Sequence, residues 1–409
     1  MRICFFILIS VVLYSPRVLE AQDTVITIDA AVSRSLAQRP ELAMQESRIE
    51  RARGMKTTDG AIPNPEFSYY REDLSQGGLS TGESTIMFDQ PLDFLWRRGP
   101  RLASSSARVL REQHNYTNIE RRLAYDVRAA FLECHYAGRI HLLCTEAEAE
   151  ISRIRNDMRS RYEKGDISLF EMNRMELEYA RYTNACGQTS LDAANAYKRL
   201  MFFLGEQSKQ QLQTSFDDGQ IVSLPALDEL LAATMPNRPD LLAAHATLDE
   251  HRAVVKETGR NRLPGLILGM GYKRQIGRYR GPVFQARLSL PLFDLKKGEL
   301  ISTRADMNYS TRMVELLENE IALEIEEAYN SCVRYTEMLA QSSSSLTTSS
   351  AQVLKAAYVS YRTGEVSLVE LLDAVEVYIE SRRFYYDLQQ RYFQSVYALE
   401  RASGRSIIH

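Results

Sequence analysis

The 409-residue sequence predicts a mainly α-helical protein with β-hairpins, built as one unit used twice. Three observations predict it. Two long stretches, 97–163 and 296–362, keep a helical pattern without a break. Proline (12) and glycine (20) are few, whereas an all-β sandwich or barrel needs more turn residues. One constant offset of 199 residues also links separated anchors along the chain.

The anchors define the repeat. Arg39-Pro40-Glu41-Leu42 recurs as Arg238-Pro239-Asp240-Leu241, Pro65 as Pro264, Gly99 as Gly298 and Gly205 as Gly404. Tyr162-Glu163-Lys164-Gly165-Asp166-Ile167-Ser168-Leu169-Phe170-Glu171 recurs as Tyr361-Arg362-Thr363-Gly364-Glu365-Val366-Ser367-Leu368-Val369-Glu370. The expected organisation is a signal peptide over 1–21, a first repeat over 22–205, a connector over 206–237, a second repeat over 238–404 and a tail over 405–409.

The signal peptide is read from Arg2, the apolar run 3–13 and the small-residue site ending at Ala21. That run is too short for a membrane-spanning helix. Cys4 sits inside it, away from the cleavage point, so no lipid anchor is expected. The net charge of −3 becomes −4 once 1–21 are removed, because Arg2, Arg17 and Glu20 leave with them. A near-neutral chain without a basic block argues against nucleic acid as a partner.

Within each repeat the order is the same. An amphipathic helix comes first, at about 40–60 and 239–261. A strand pair follows, 65–73 with 83–91 and 264–272 with 282–291, split by loops over 74–82 and 273–281. The alternation is clearest in Phe284, Ala286, Leu288 and Leu290 against Gln285, Arg287 and Ser289, and in Leu266, Leu268, Met270 and Tyr272 against Ile267, Gly269 and Gly271. Ile86 and Phe88 alternate with Thr85, Met87 and Asp89, where Met87 is the imperfect position. Segments of this length match transmembrane β-strands as well as a surface hairpin. Then comes a rod of some 65 residues, about 100 Å long at ~1.5 Å per residue, a turn at Gly165 or Gly364, and a returning helix. Rods this long point to coiled-coil packing. Four strands cannot close a barrel, and lipid does not tolerate an open edge, so membrane insertion demands several chains per barrel.

Signal peptide, duplication, paired strands and long helical hairpins together resemble the TolC-like outer-membrane efflux proteins. The tip motif Tyr-x-x-Gly-x-x-Ser-x-x-Glu, present twice, is the most specific element. The junctions Gln90-Pro91-Leu92 before Arg97-Arg98-Gly99, and Leu290-Pro291-Leu292-Phe293-Asp294 before Gly298, are most similar to the CzcC-like heavy-metal cation branch. The resemblance implies a duplicated protomer with four transmembrane β-strands and antiparallel coiled-coil hairpins. Three protomers would form an α/β-barrel, set in outer-membrane lipid and continued across the periplasm of a Gram-negative-type bacterium. It further implies a periplasmic adaptor, an inner-membrane RND-type pump, and passive conduction of divalent heavy-metal cations. The alternatives are a soluble periplasmic helical scaffold, and a duct for drugs or secreted polypeptides.

The resemblance also assigns residues. Lys164, Gly165, Asp166 and Ser168, with Thr363, Gly364, Glu365 and Ser367, stand where the adaptor docks. Ser168 with Glu171 and Ser367 with Glu370 equally read as capping boxes, a purely structural use of the same motif. Glu370 and Asp373 stand at acidic rings of the aperture, extended by Glu376 and Glu380, while the matching positions of the first repeat include Arg174 and Arg181. For Asp373 a solvated helix face is the plainer reading. Tyr361 matches a gating tyrosine. The gating arginine of the family is Val366 here, which leaves Arg362 or Arg174 as candidates for that role.

Four cysteines remain in the mature chain: Cys134, Cys144, Cys186 and Cys332. Cys144 lies 21 residues before Gly165 and Cys186 lies 21 after it, so an antiparallel hairpin makes them face each other. A disulfide and a pair of buried thiols are the two readings. Cys134, His135, His141 and Cys144 do not form a closed four-ligand spacing, so no metal site is expected. No cofactor is expected either, and no catalytic motif occurs, which argues against an enzyme.

Overall fold

A computed structural model describes residues 24–205, 212–219, 221–277, 279–404 and 406–407. The expected signal peptide lies outside them. Strand β1 (Thr24–Ile26) leads into helix α1 (Ile28–Gln38), a helix the sequence reading missed. Its start is set by Thr27, whose hydroxyl accepts from the Ala30 amide.

Helix α2 (Pro40–Asp59) precedes the hairpin β2 (Glu66–Gln76) and β3 (Leu79–Pro91). Helix α3 (Phe94–Glu163) then runs 70 residues, about 105 Å, and α4 (Leu169–Phe203) returns. The connector holds β4 (Leu212–Thr214), which pairs in parallel with β1, and α5 (Leu227–Thr234), followed by a 3₁₀ turn. The order then repeats: α6 (Pro239–Arg260), β5 (Gly265–Gln275), β6 (Arg280–Ser289), α7 (Lys297–Ser344), α8 (Ser350–Thr363) and α9 (Leu368–Ser403).

Two expectations need correction. The loops set at 74–82 and 273–281 are largely strand. In the first hairpin only Gly77 and Gly78 remain between the strands, with φ of 59° and 81°. Two consecutive left-handed residues make a tight turn that glycine alone adopts freely, so the ladder continues to Gln76↔Leu79. The second rod is not one continuous α-helix either. Ser345–Ser349 form a π-turn between α7 and α8. The Ser/Thr tract supplies hydroxyls that bond back to the preceding turn, Thr347 to the Ser343 carbonyl at 2.7 Å and Ser350 to that of Leu346 at 2.7 Å. Such back-bonding competes with the regular ladder and loosens the turn.

The four long strands form one antiparallel sheet in the order β2-β3-β5-β6, leaving β2 and β6 as unpaired edges. Two cores hold the helices. The larger gathers Val127, Phe131, Leu132, Tyr136, Leu200 and Leu204 of the first repeat with Ile321, Ile325, Tyr392, Phe393 and Val396 of the second. The smaller lies near the hairpin ends, where Ile151, Met158 and Met175 meet Leu371, Leu372 and Val375. Burial of this apolar surface holds the two hairpins together.

The repeated Arg-Pro motif has a shared structural use. Arg39 donates to the Phe202 carbonyl at 3.2 Å, and Arg238 to the Ala402 carbonyl at 2.6 Å. Each guanidinium therefore meets the C-terminal end of its own repeat's returning helix, where carbonyls lack partners and positive charge is favoured. Pro40 and Pro239 sit at the first helical position, where a missing amide costs nothing.

Candidate functional site

Three places gather the candidate residues: the sheet, the hairpin ends and the mid-rod cysteines.

The sheet has two unlike faces. One carries Phe67 and Tyr69, Ile86 and Phe88, Leu268, Met270 and Tyr272, and Phe284 and Leu288, all exposed; Phe284 is 77% accessible. The register sets Phe67, Phe88, Met270 and Phe284 in one row and Tyr69, Ile86, Tyr272 and Pro282 in the next. A row of Arg71, Ser84, Arg274 and Arg280 closes the band. From Leu266 to Arg274 is about 27 Å along the strand, against an apolar band ~25 Å tall in outer-membrane barrels.

The other face is polar. Asp89 accepts from Arg287 at 2.5 Å, and Glu83 pairs with Lys273. Met87 lies on this face too, yet it is buried. It rests over Gly271, where a Cβ would collide with the Met87 sulfur and the Ile86 carbonyl. A Cβ on Gly269 would collide with the Asp89 carboxylate. The break in alternation at Met87 and the two glycines opposite are thus one packing solution.

At the hairpin ends, Gly165 (φ 82°) and Gly364 (φ 80°) take the left-handed conformation that ends α3 and α8. Ser168 and Ser367 cap α4 and α9. Each serine oxygen accepts from the amide three residues on. Glu171 and Glu370 reach back to accept from the serine amides at 2.8 and 2.7 Å. Those amide bonds, joined by the serine hydroxyls, hold both glutamates below the usual carboxylate range. Lys164, Asp166, Thr363 and Glu365 are exposed beside them, and Phe170 projects at 72% accessibility.

Tyr361 is half-buried among the apolar side chains near these ends, and burial raises its phenol. The cation beside it is neither Arg362 nor Arg174. Arg161 of α3 lies over the ring at 5.7 Å and is paired with Asp157 at 3.1 Å. Higher up, Arg181 of α4 pairs with Glu376 of α9. Glu376 is therefore neutralised across the two hairpins rather than extending a free acidic stripe. Glu370, Asp373, Val377 and Glu380 share an exposed face of α9, and Asp373 has no polar partner among the described residues. Sequence reading missed Arg161, because its contact joins two repeats whose relative setting no spacing within either reveals.

Cys144 and Cys186 form a disulfide across α3 and α4, with Cα atoms 5.5 Å apart. His141 Nδ1 meets the Thr189 hydroxyl and His135 Nδ1 that of Thr214, each at 3.2 Å. Both histidines thus have packing partners. Among the described residues no group of three or more His, Cys, Asp or Glu is placed to hold a metal. No described helix is long and apolar enough to cross a membrane, which says nothing about the strands.

Comparison with known proteins agrees with this geometry. Residues 230–405 match the family model described as outer membrane efflux protein. The chain is 23% identical to the cobalt-zinc-cadmium resistance protein CzcC of Cupriavidus metallidurans, across 93% of this chain and 90% of that protein. The crystal structure of CusC superposes with a TM-score of 0.76 at 17% identity, covering 92% of this chain and 91% of the other. The Campylobacter jejuni CmeC outer membrane channel gives 0.77 at 14% identity, covering 92% and 85%. Residues 230–405 thus resemble the outer membrane efflux proteins, and the chain has the protomer fold of the TolC-like channels.

Proposed function

We propose that this chain is one third of an outer-membrane exit duct that passively conducts divalent heavy-metal cations out of a Gram-negative-type cell. The observation that carries the reading is the two-faced sheet whose edges β2 and β6 are both unpaired. An exposed apolar band favours lipid, and lipid requires every backbone amide to be bonded. Joining β6 of one copy to β2 of the next continues the antiparallel order and removes both edges. Two copies would give eight strands, an interior filled by side chains; three give twelve and the first open lumen. The polar face of Asp89, Arg287, Glu83 and Lys273 would line it.

The hairpins extend this lumen into the periplasm. Their ends, with Lys164, Gly165, Asp166 and Ser168 and with Thr363, Gly364, Glu365 and Ser367, are the surface for a periplasmic adaptor, which couples the duct to an inner-membrane RND-type pump. Asp373 and Glu370 form acidic rings at the aperture, favouring cations over anions. Arg161 on Tyr361 and Arg181 on Glu376 hold the closed state, with the cation supplied by the first repeat where Val366 removes it from the second. Similarity to the cobalt-zinc-cadmium resistance protein supports divalent cations as cargo. The duct does no catalysis of its own.

The test is a deletion strain scored for sensitivity to zinc, cobalt, cadmium, copper and drugs, with detergent and salt extraction of the protein in parallel. Metal sensitivity and a detergent requirement are expected. Full extraction by salt buffer with unchanged metal tolerance would overturn the reading.

A further inference from the structure

The pairing of the cysteines carries an inference about how this chain matures. The bonded pair, Cys144 and Cys186, is separated by 42 residues. Cys134 and Cys332 are left as thiols. Cys134 nevertheless lies only ten positions before Cys144, and in a chain exported N-terminus first it is the first mature thiol to meet an oxidant.

Loop statistics favour the unwanted bond. The probability of closure falls with roughly the three-halves power of loop length, so a ten-residue loop closes about nine-fold more readily than one of 42 residues. Order of emergence adds to that bias. Native α3 cannot contain this bond: ten residues of helix separate the two positions by about 15 Å, far beyond the Cα spacing a disulfide spans. A Cys134–Cys144 bond therefore blocks the middle of α3 and, with it, the zipping of α3 against α4.

The folded chain offers no late repair. Cys134 is half-buried, and desolvation raises its thiol to about 11; Cys332 is buried and likewise raised. Thiols held protonated in this way are poor nucleophiles. Exchange has to precede packing of the hairpin.

We infer that this protein is a client of a periplasmic thiol–disulfide exchange catalyst, which resolves a Cys134–Cys144 bond into the native Cys144–Cys186 bond before the first hairpin closes. In the net step the Cys186 thiolate attacks Cys144 Sγ, the Cys134–Cys144 bond breaks, and Cys134 leaves as a thiolate that takes up a proton. One disulfide is consumed and one is formed, so no oxidant is needed beyond the disulfide-bearing oxidase that made the first bond and left as its dithiol. The catalyst carries the exchange through a mixed disulfide with its own thiolate. The inference rests on the exported setting proposed above, and its readout is a bond map rather than transport.

The test compares two expression hosts that both contain the periplasmic oxidase, one of which lacks disulfide isomerase activity. The whole protein is recovered with thiols alkylated, and its disulfides are mapped by mass spectrometry alongside the yield of folded oligomer. In the deficient host the natural chain is expected to show a Cys134–Cys144 peptide and a several-fold loss of folded protein. Cys134→Ser, with Cys134→Ala as a second variant against a folding artefact, is expected to give equal yield and the Cys144–Cys186 bond in both hosts. Cys332→Ser is expected to keep the dependence, because Cys332 emerges last. Equal maturation of the natural chain in both hosts, or persistence of the dependence in both Cys134 variants, would overturn the inference. A correctly bonded protein that fails to conduct counts against the duct and leaves this inference standing.

Discussion

Arg238 is buried in an ion-paired nest that ties the two ends of the second repeat together. Its guanidinium bonds to Asp240 at 2.9 Å, pairs with Glu324 and donates to the Ala402 carbonyl at 2.6 Å. Arg39, at the matching position, pairs with Glu41 at 2.8 Å and stacks 4.4 Å over the Phe202 ring. The same tetrapeptide thus closes each repeat, in a more buried setting in the second.

Removing Arg238 leaves Asp240 without its cation, leaves Glu324 with Arg401 alone, and frees the Ala402 carbonyl. Arg238→Ala should destabilise the protein by about 3–5 kcal/mol. Arg39→Ala should cost less, about 1–2 kcal/mol, because Glu41 is half-exposed and can turn to water. Chemical unfolding followed by circular dichroism measures both, and equal effects would contradict the asymmetry.

The mid-rod disulfide closes a 42-residue loop, for which chain entropy gives about 4 kcal/mol of stabilisation. Cys144→Ser or reduction should lower the melting temperature of the first hairpin, while the same change at Cys332 should not reproduce it. Hydrogen exchange over 130–200 separates the two.

The helix caps at the hairpin ends should respond to acid. Glu171 and Glu370 have lowered folded-state pKa values, so their contribution is present above the unfolded value near 4.5. It is lost as pH falls through the lower folded value. The protection factors of the Ser168 and Ser367 amides, taken relative to intrinsic exchange at each pH, should fall below about pH 4 and stay flat between pH 6 and 8. Glu171→Gln and Glu370→Gln should weaken this dependence.

Arg161→Ala with Arg181→Ala should raise the single-channel conductance of the reconstituted protein several-fold, since both cations that bridge the repeats near the proposed aperture are lost. Arg153→Ala, whose cation pairs with Glu150 on its own helix, is the control that should not. Asp373→Asn should reduce cation selectivity, read as a shift of reversal potential in a salt gradient.

Much of the architecture was legible because it is periodic. The 199-residue offset fixed the order of elements, and the alternation through Phe284 and Leu288 fixed which face of the sheet is apolar. The strand ends were harder, because Gly77-Gly78 make a turn so short that polar residues on either side stay in the ladder. The break at Ser345–Ser349 was hidden because serine and threonine are compatible with a helix until their hydroxyls bond backwards. Arg161 on Tyr361 was invisible for another reason: its geometry is set by packing of one repeat on the other. The same holds for Met87, whose place on a polar face makes sense only once Gly269 and Gly271 lie opposite it.

A four-stranded sheet that is one third of a shared barrel requires three chains to close it. Native mass spectrometry of the protein extracted in detergent or lipid nanodiscs tests it most directly. Three chains per particle are expected, with no stable single chain in lipid. A monomer, or a particle that stays soluble and monodisperse without detergent, would contradict it.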